Sequence, residues 1–137
     1  MDQHTIARSA AKLPQRFEPL LLTFHDAPRW LDDGCAVLGS DEGTELRVEA
    51  GSGRVMSVDP YGELPTRLVN STIEQLVRCI DAYRDYASAV LAVPDEPTAR
   101  GVAAGLRQTL ADIDPAAVAD PEAWWALIVE QAYQGLL

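Results

Sequence analysis

The run Leu68-Val69-Asn70-Ser71-Thr72-Ile73-Glu74 marks the place where an extended chain leaves a sheet and enters the longest amphipathic helix of the sequence. Ser71, followed three residues later by Glu74, has the form of a capping box. In that motif each side chain satisfies a backbone N–H that the first helical turn leaves unpaired. Beyond it Ile73, Leu76, Val77, Ile80, Tyr83, Ala87 and Val90 recur at steps of three and four, which is one face of an α-helix. The pattern predicts a helix over residues 72 to 91 that serves as the spine of the core. Its apolar face needs partners, and the strands before it and the Trp-bearing helix after it are the ones available.

Working upstream, Cys35-Ala36-Val37-Leu38-Gly39 reads as a short apolar strand and Ser40-Asp41-Glu42-Gly43 as the turn after it. Leu46, Val48 and Ala50 then alternate with Glu45, Arg47 and Glu49, the period of a strand with one face on the core and one in water. Gly51-Ser52-Gly53 supplies a reversal, and Val55 to Val58 is the return strand, so this part is a β-meander. The paired glycines are not a phosphate loop, because no Lys follows and the next element is a strand. Asp59-Pro60-Tyr61-Gly62-Glu63-Leu64-Pro65 is a turn-rich connection, and Arg67 to Val69 is extended. Residues 1–33 are the least legible region. Ile6 to Leu13 fits a short helix, Pro14 and Pro19 interrupt the chain, and Leu20 to Phe24 fits a strand or a buried turn. His25 and Asp26 read as a loop ahead of Pro28, a turn or capping arrangement and not a general base, since no nucleophile accompanies them.

Downstream, the spine helix stops before Pro94, and Asp95-Glu96-Pro97 opens the next helix, with Val102, Ala103, Leu106, Leu110 and Ile113 on its apolar face. Asp114-Pro115 and Asp120-Pro121 repeat that start signal, with Asp as N-cap and Pro as first helical residue. On the last helix Trp125, Ile128, Val129, Ala132 and Leu136 share a face, Gly135 is the stop, and the paired Trp124 and Trp125 read as core, with partial exposure of one of them to a partner as the alternative.

The length, 137 residues at 47% apolar, fits a single domain over 1–137. The fold class is α+β, a mainly antiparallel sheet packed against helices. No stretch has the length of a membrane span, and Pro19 to Leu22 is too short for a signal peptide, so the expectation is a cytoplasmic protein. Cys35 and Cys79 stand in no metal or redox spacing and read as free thiols, with no metal and no cofactor. The net charge of −10 argues against nucleic acid and for a basic partner.

The succession Val37-Leu38-Gly39-Ser40-Asp41-Glu42-Gly43, then Gly53-Arg54-Val55, then Leu68-Val69-Asn70-Ser71 opening a helix, resembles the fourth group of the SUKH superfamily of bacterial immunity proteins. The tail, Asp112 to Ala117 followed by Asp120-Pro121-Glu122-Ala123-Trp124-Trp125 and Glu130, is similar to the end of actinobacterial members. The likeness runs over roughly residues 34 to 137, while only Leu13-Pro14 and Leu22 to Phe24 match in the first third. It implies a compact α+β fold, no enzymatic activity, and a cognate toxin of nuclease or deaminase type as partner. Only fold positions such as Gly39, Asn70 and Ser71 carry over. From the residues themselves, the contact set is Asp32, Asp33, Asp41, Glu42, Tyr61 and Glu63, acidic or aromatic residues of loops beside the sheet. Homodimerisation through an exposed strand stays open. A second reading is a small-molecule or peptide-binding accessory domain with a pocket against Trp30, Trp124 or Trp125. An enzyme using His25 with Asp26 or Asp32 ranks last.

Overall fold

The computed structural model describes residues 2–92 and 95–135. It shows an α+β fold in which the chain separates into two compact units, residues 1–77 and 78–137. The first unit opens with helix α1 (Gln3–Ala10), whose Asp2 side chain caps the Thr5 N–H at 2.7 Å. Six strands follow: β1 (Arg16–Phe17), β2 (Leu22–Trp30), β3 (Ala36–Ser40), β4 (Glu45–Val48), β5 (Val55–Val58) and β6 (Arg67–Asn70). They form one antiparallel sheet in sequence order, so every strand lies beside its neighbour in the chain, a full meander.

The alternation in β4 sets the sheet's two faces. Leu46 and Val48 are buried while Glu45 and Arg47 are half-buried. Their cross-strand partners extend the core face through Ala36 on one side and Val55 on the other, both buried, with Asn70 beyond. Burying each of the Leu46, Val48 and Val55 side chains contributes about 2 kcal/mol. On the opposite face Glu45 joins Arg29 at 2.8 Å and Arg47 at 2.6 Å.

Residues 16–30 hold what the sequence left obscure. His25 and Asp26 are in strand β2, not in a loop. The strand tolerates Pro28 because it bulges there: Phe24 pairs Gly39 and Arg29 pairs Val37, five steps on β2 against two on β3. Three extra residues therefore stand out of the ladder, where a missing N–H costs nothing. At the same place β2 crosses β3 closely. A Cβ on Gly39 would overlap the Thr23 carbonyl oxygen and lie 2.8 Å from the Phe24 Cα.

Helix α2 (Ile73–Ala92) begins one residue later than the Ser71–Glu74 box requires. Thr72 is the cap. Its Oγ1 accepts from the Gln75 N–H at 3.1 Å, its hydroxyl donates to Gln75 Oε1 at 2.9 Å, and its carbonyl takes the first helical bond, from Leu76. Glu74 turns away from the helix start to accept from the Ser9 hydroxyl at 2.5 Å, with Lys12 at 3.6 Å, tying α1 to the opening of α2. Pro94 and Leu136, which the sequence reading used as a stop and a face member, lie outside the described residues.

In the second unit α3 (Glu96–Ile113) starts as expected, with Asp95 accepting from the Thr98 N–H at 2.8 Å. The two later Asp-Pro signals work differently. Asp114 is buried and closes α3, its N–H bonding the Leu110 carbonyl, so the N-cap position of α4 (Ala116–Ala119) falls on Pro115, which offers no side-chain cap. Asp120 makes a turn, its carboxylate accepting from the Glu122 N–H at 2.9 Å, and α5 (Trp124–Tyr133) begins only after Ala123. Both tryptophans are buried, edge to face at 4.8 Å, and Trp125 reaches Tyr83 at 6.2 Å. Neither ring is open to a partner, which removes Trp124 and Trp125 as pocket walls. Burial pushes the Tyr83 hydroxyl up to about 12.

Two substitutions test this architecture by thermal or urea unfolding. Gly39→Ala overpacks a backbone crossing that cannot yield and should lose about 3 kcal/mol, at the upper end of the usual overpacking cost. Thr72→Ala removes the cap of α2 and should lose about 1 kcal/mol; an unchanged midpoint would return the cap to Ser71.

Candidate functional site

The meander sends its loops alternately to two ends of the sheet. One end carries the connections 31–35, between β2 and β3, and 49–54, between β4 and β5. The other carries 18–21, 41–44 and 59–66, the β1–β2, β3–β4 and β5–β6 connections. The six residues picked from sequence are therefore split. Asp32 and Asp33 stand at the first end, and Asp41, Glu42, Tyr61 and Glu63 stand together at the second.

The two ends differ in how their charges are used. At the first, Glu49 is joined to Arg54 at 3.0 Å and accepts from the Ser52 hydroxyl at 2.9 Å, while Asp33 accepts from the Cys35 N–H at 2.9 Å. These carboxylates close their own turns. At the second end Asp41 also has a local task. The Ser57 hydroxyl donates to Thr44 Oγ1 at 3.1 Å, and the Thr44 hydroxyl donates to Asp41, a chain that fixes the β3–β4 turn. Glu18, Glu42 and Glu63 are exposed and have no ion pair among the described residues.

The β5–β6 loop is organised by a residue that the sequence reading passed over. The Asp59 carboxylate accepts three backbone N–H bonds, from Tyr61 at 2.9 Å, Glu63 at 3.0 Å and Leu64 at 2.9 Å. Those bonds hold its pKa below the ordinary 3.8, the Tyr61 amide being the largest cause. The signal was present as Asp-Pro-x-Gly, a turn in which a carboxylate bonds the backbone ahead of it.

The β1–β2 connection contributes the remaining part. A single 3-10 turn, Glu18–Leu20, ends on Leu21 at φ 55, and across from it Glu42 stands at φ 61. Among the described residues these are the non-glycine positions with positive φ, and both line one shallow cleft of about 230 Å³ with Arg16, Glu18, Leu22 and Thr23. Leu21 is 55% exposed, Tyr61 84% and Leu64 58%.

Elsewhere, His25 is exposed on β2, and Asp26 accepts from the Gln15 side chain at 3.0 Å. Among the described residues no group of three or more His, Cys, Asp or Glu side chains is placed to hold a metal ion, and no helix is long and apolar enough to cross a membrane.

The model of one protein family, described as SUKH-4 immunity protein, matches residues 13–131. The match begins well before residue 34, so it takes in β1, the 3-10 turn and β2, of which the sequence resemblance had reached only Leu22 to Phe24. No curated protein and no solved structure matches the chain.

The Asp59 arrangement predicts a pH response. Because the folded pKa is depressed, the loop's order is complete above the ordinary carboxyl value of 3.8 and is lost as pH falls through the lowered folded value. In an NMR titration the amide signals of Tyr61, Glu63 and Leu64 should move together with a midpoint below 3.8, and Asp59→Ala should abolish the transition.

Proposed function

Because the chain belongs to the SUKH-4 immunity protein family, we propose that it binds and neutralises a cognate toxin, of nuclease or deaminase type, without catalysing a reaction itself. The observation that carries this reading is the family match over residues 13–131. An inhibitor of this kind works by occupying a surface, so its requirement is a face complementary to the toxin and not a set of reactive groups. The net charge of −10 supports a basic toxin, since opposite charge raises the rate of encounter and disfavours acidic competitors. The same charge opposes nucleic acid as a direct partner. The acidic loops at the sheet ends, holding Asp32, Asp33, Asp41, Glu42, Tyr61 and Glu63, are the proposed contact region, and the cytoplasm of the producing cell is the proposed place of action.

The test is retention by the tagged protein, from a lysate of its own cells, of a basic protein that is toxic when expressed alone. The complex should weaken as salt rises. With the purified toxin, the double charge reversal Glu42→Lys with Glu63→Lys should weaken binding about ten-fold at low salt and flatten its salt dependence. An unchanged affinity and slope would remove these carboxylates from the contact.

A further inference from the structure

We infer that the toxin docks on one end of the sheet only, the end built by the β1–β2, β3–β4 and β5–β6 loops, with Leu21, Tyr61 and Leu64 as apolar anchors interspersed with the carboxylates of Glu18, Glu42 and Glu63. The inference rests on the toxin-binding reading and adds to it the surface and the chemistry of recognition.

The anchors are the first argument. Leu21, Tyr61 and Leu64 are large apolar side chains more than half exposed, and the meander brings all three to the same end. Tyr133 and Leu91, in the other unit, are exposed too, but the Tyr133 ring already carries the Arg100 guanidinium at 5.9 Å and Leu91 is a single side chain at the end of α2. The opposite sheet end presents no comparable apolar group among the described residues, and its Glu49 is paired. Apolar and aromatic anchors ringed by charge are the usual composition of a protein interface. Six strands at roughly 4.8 Å spacing make this end roughly 24 Å wide, room for one half of a standard interface.

Charge then selects the occupant. Five carboxylates, of Glu18, Asp41, Glu42, Asp59 and Glu63, stand here with two arginines, Arg16 and Arg67. An anionic lipid surface and a nucleic acid are both repelled by such an end. A second copy of the chain docked end to end would set one acidic surface against another. What fits is a protein surface with an apolar depression bordered by Lys and Arg. Two of the acids have another part in it: Asp59 holds the backbone that presents Tyr61 and Leu64, and Asp41 fixes the turn that presents Glu42, so these two are positioning residues.

The experiment places the photo-crosslinking amino acid benzoylphenylalanine at position 21, 61 or 64, or at 32 or 52 of the other end, in the protein produced in its own cells. A basic protein crosslinked from 61 and 64 and not from 32 or 52 is the expected result. That protein, once identified and purified, should bind Tyr61→Ala at least about ten-fold more weakly than the unaltered chain. The melting temperature should stay unchanged, because the Tyr61 side chain lies in solvent. The same basic protein crosslinked from 32 or 52 only, or bound equally by Tyr61→Ala, overturns this surface and leaves the toxin reading standing. If no position crosslinks a basic protein and the tagged chain retains none, the toxin reading fails and this surface fails with it.

Discussion

The crossing of β2 over Gly39 fixes the positions of the loops that matter. The Thr23 carbonyl oxygen occupies the space in which a side chain at residue 39 would stand, so only glycine lets the two strands pair in the observed register. That register sets Thr23 opposite Ser40 and brings the start of β2 level with the β3–β4 turn. The cleft shared by Glu18, Leu21 and Glu42 is a direct result. A shift of one residue would turn every side chain of β2 to the other face. The three-residue bulge that follows absorbs the length of β2 and keeps its far end, Arg29 and Trp30, in register with Val37 and Ala36.

Antiparallel order does the remaining placement. A meander has no crossover, so alternate loops must gather at opposite ends whatever their sequence. Stability and the proposed recognition are accordingly separated in space. The carboxylates of Glu49 and Asp33 are consumed in closing turns, and Glu45 bridges two arginines across the outer face. Exposed ion pairs such as Glu49–Arg54 contribute little to folding, roughly 0–1 kcal/mol each. Their larger effect is to cancel local charge, which leaves three exposed glutamates, Glu18, Glu42 and Glu63, at the opposite sheet end against the exposed Asp32 here.

Where the sequence could be read, one local rule dominated. Period-two alternation gave β4 and its return strand, and the Asp95-Glu96-Pro97 start gave α3, because in each case a single interaction decides the outcome. Two rules compete where the reading missed. Ser71-x-x-Glu74 and Thr72-x-x-Gln75 are overlapping caps one residue apart, and the choice between them is made by Ser9, 65 positions away, which takes the Glu74 carboxylate. Asp114 and Asp120 look alike before their prolines, yet burial of Asp114 at the end of α3 and the turn at Asp120 move both helix starts. Strand β2 hid behind Pro28 because a bulge that accommodates proline has no signature apart from its partner strand.

The candidate surface shows the same limit from another side. Glu42, Tyr61 and Glu63 were legible as acidic or aromatic residues in turns, and their loops lie at the same end of the sheet. Leu21 and Leu64 were not, since a leucine in sequence counts as core until the fold leaves it outside. Asp32 and Asp33 looked equivalent to Asp41 and Glu42, and only the parity of the meander separates them. For an inhibitor this division has a physical use. The Asp41 bond to Thr44 and the Asp59 bonds to the 61–64 backbone each lie within one turn, so the side chains of Leu21, Glu42, Tyr61 and Leu64 can change without disturbing them. Partner specificity can then vary on a constant scaffold, with the ordering entropy of the β5–β6 loop already met by Asp59 before the partner arrives.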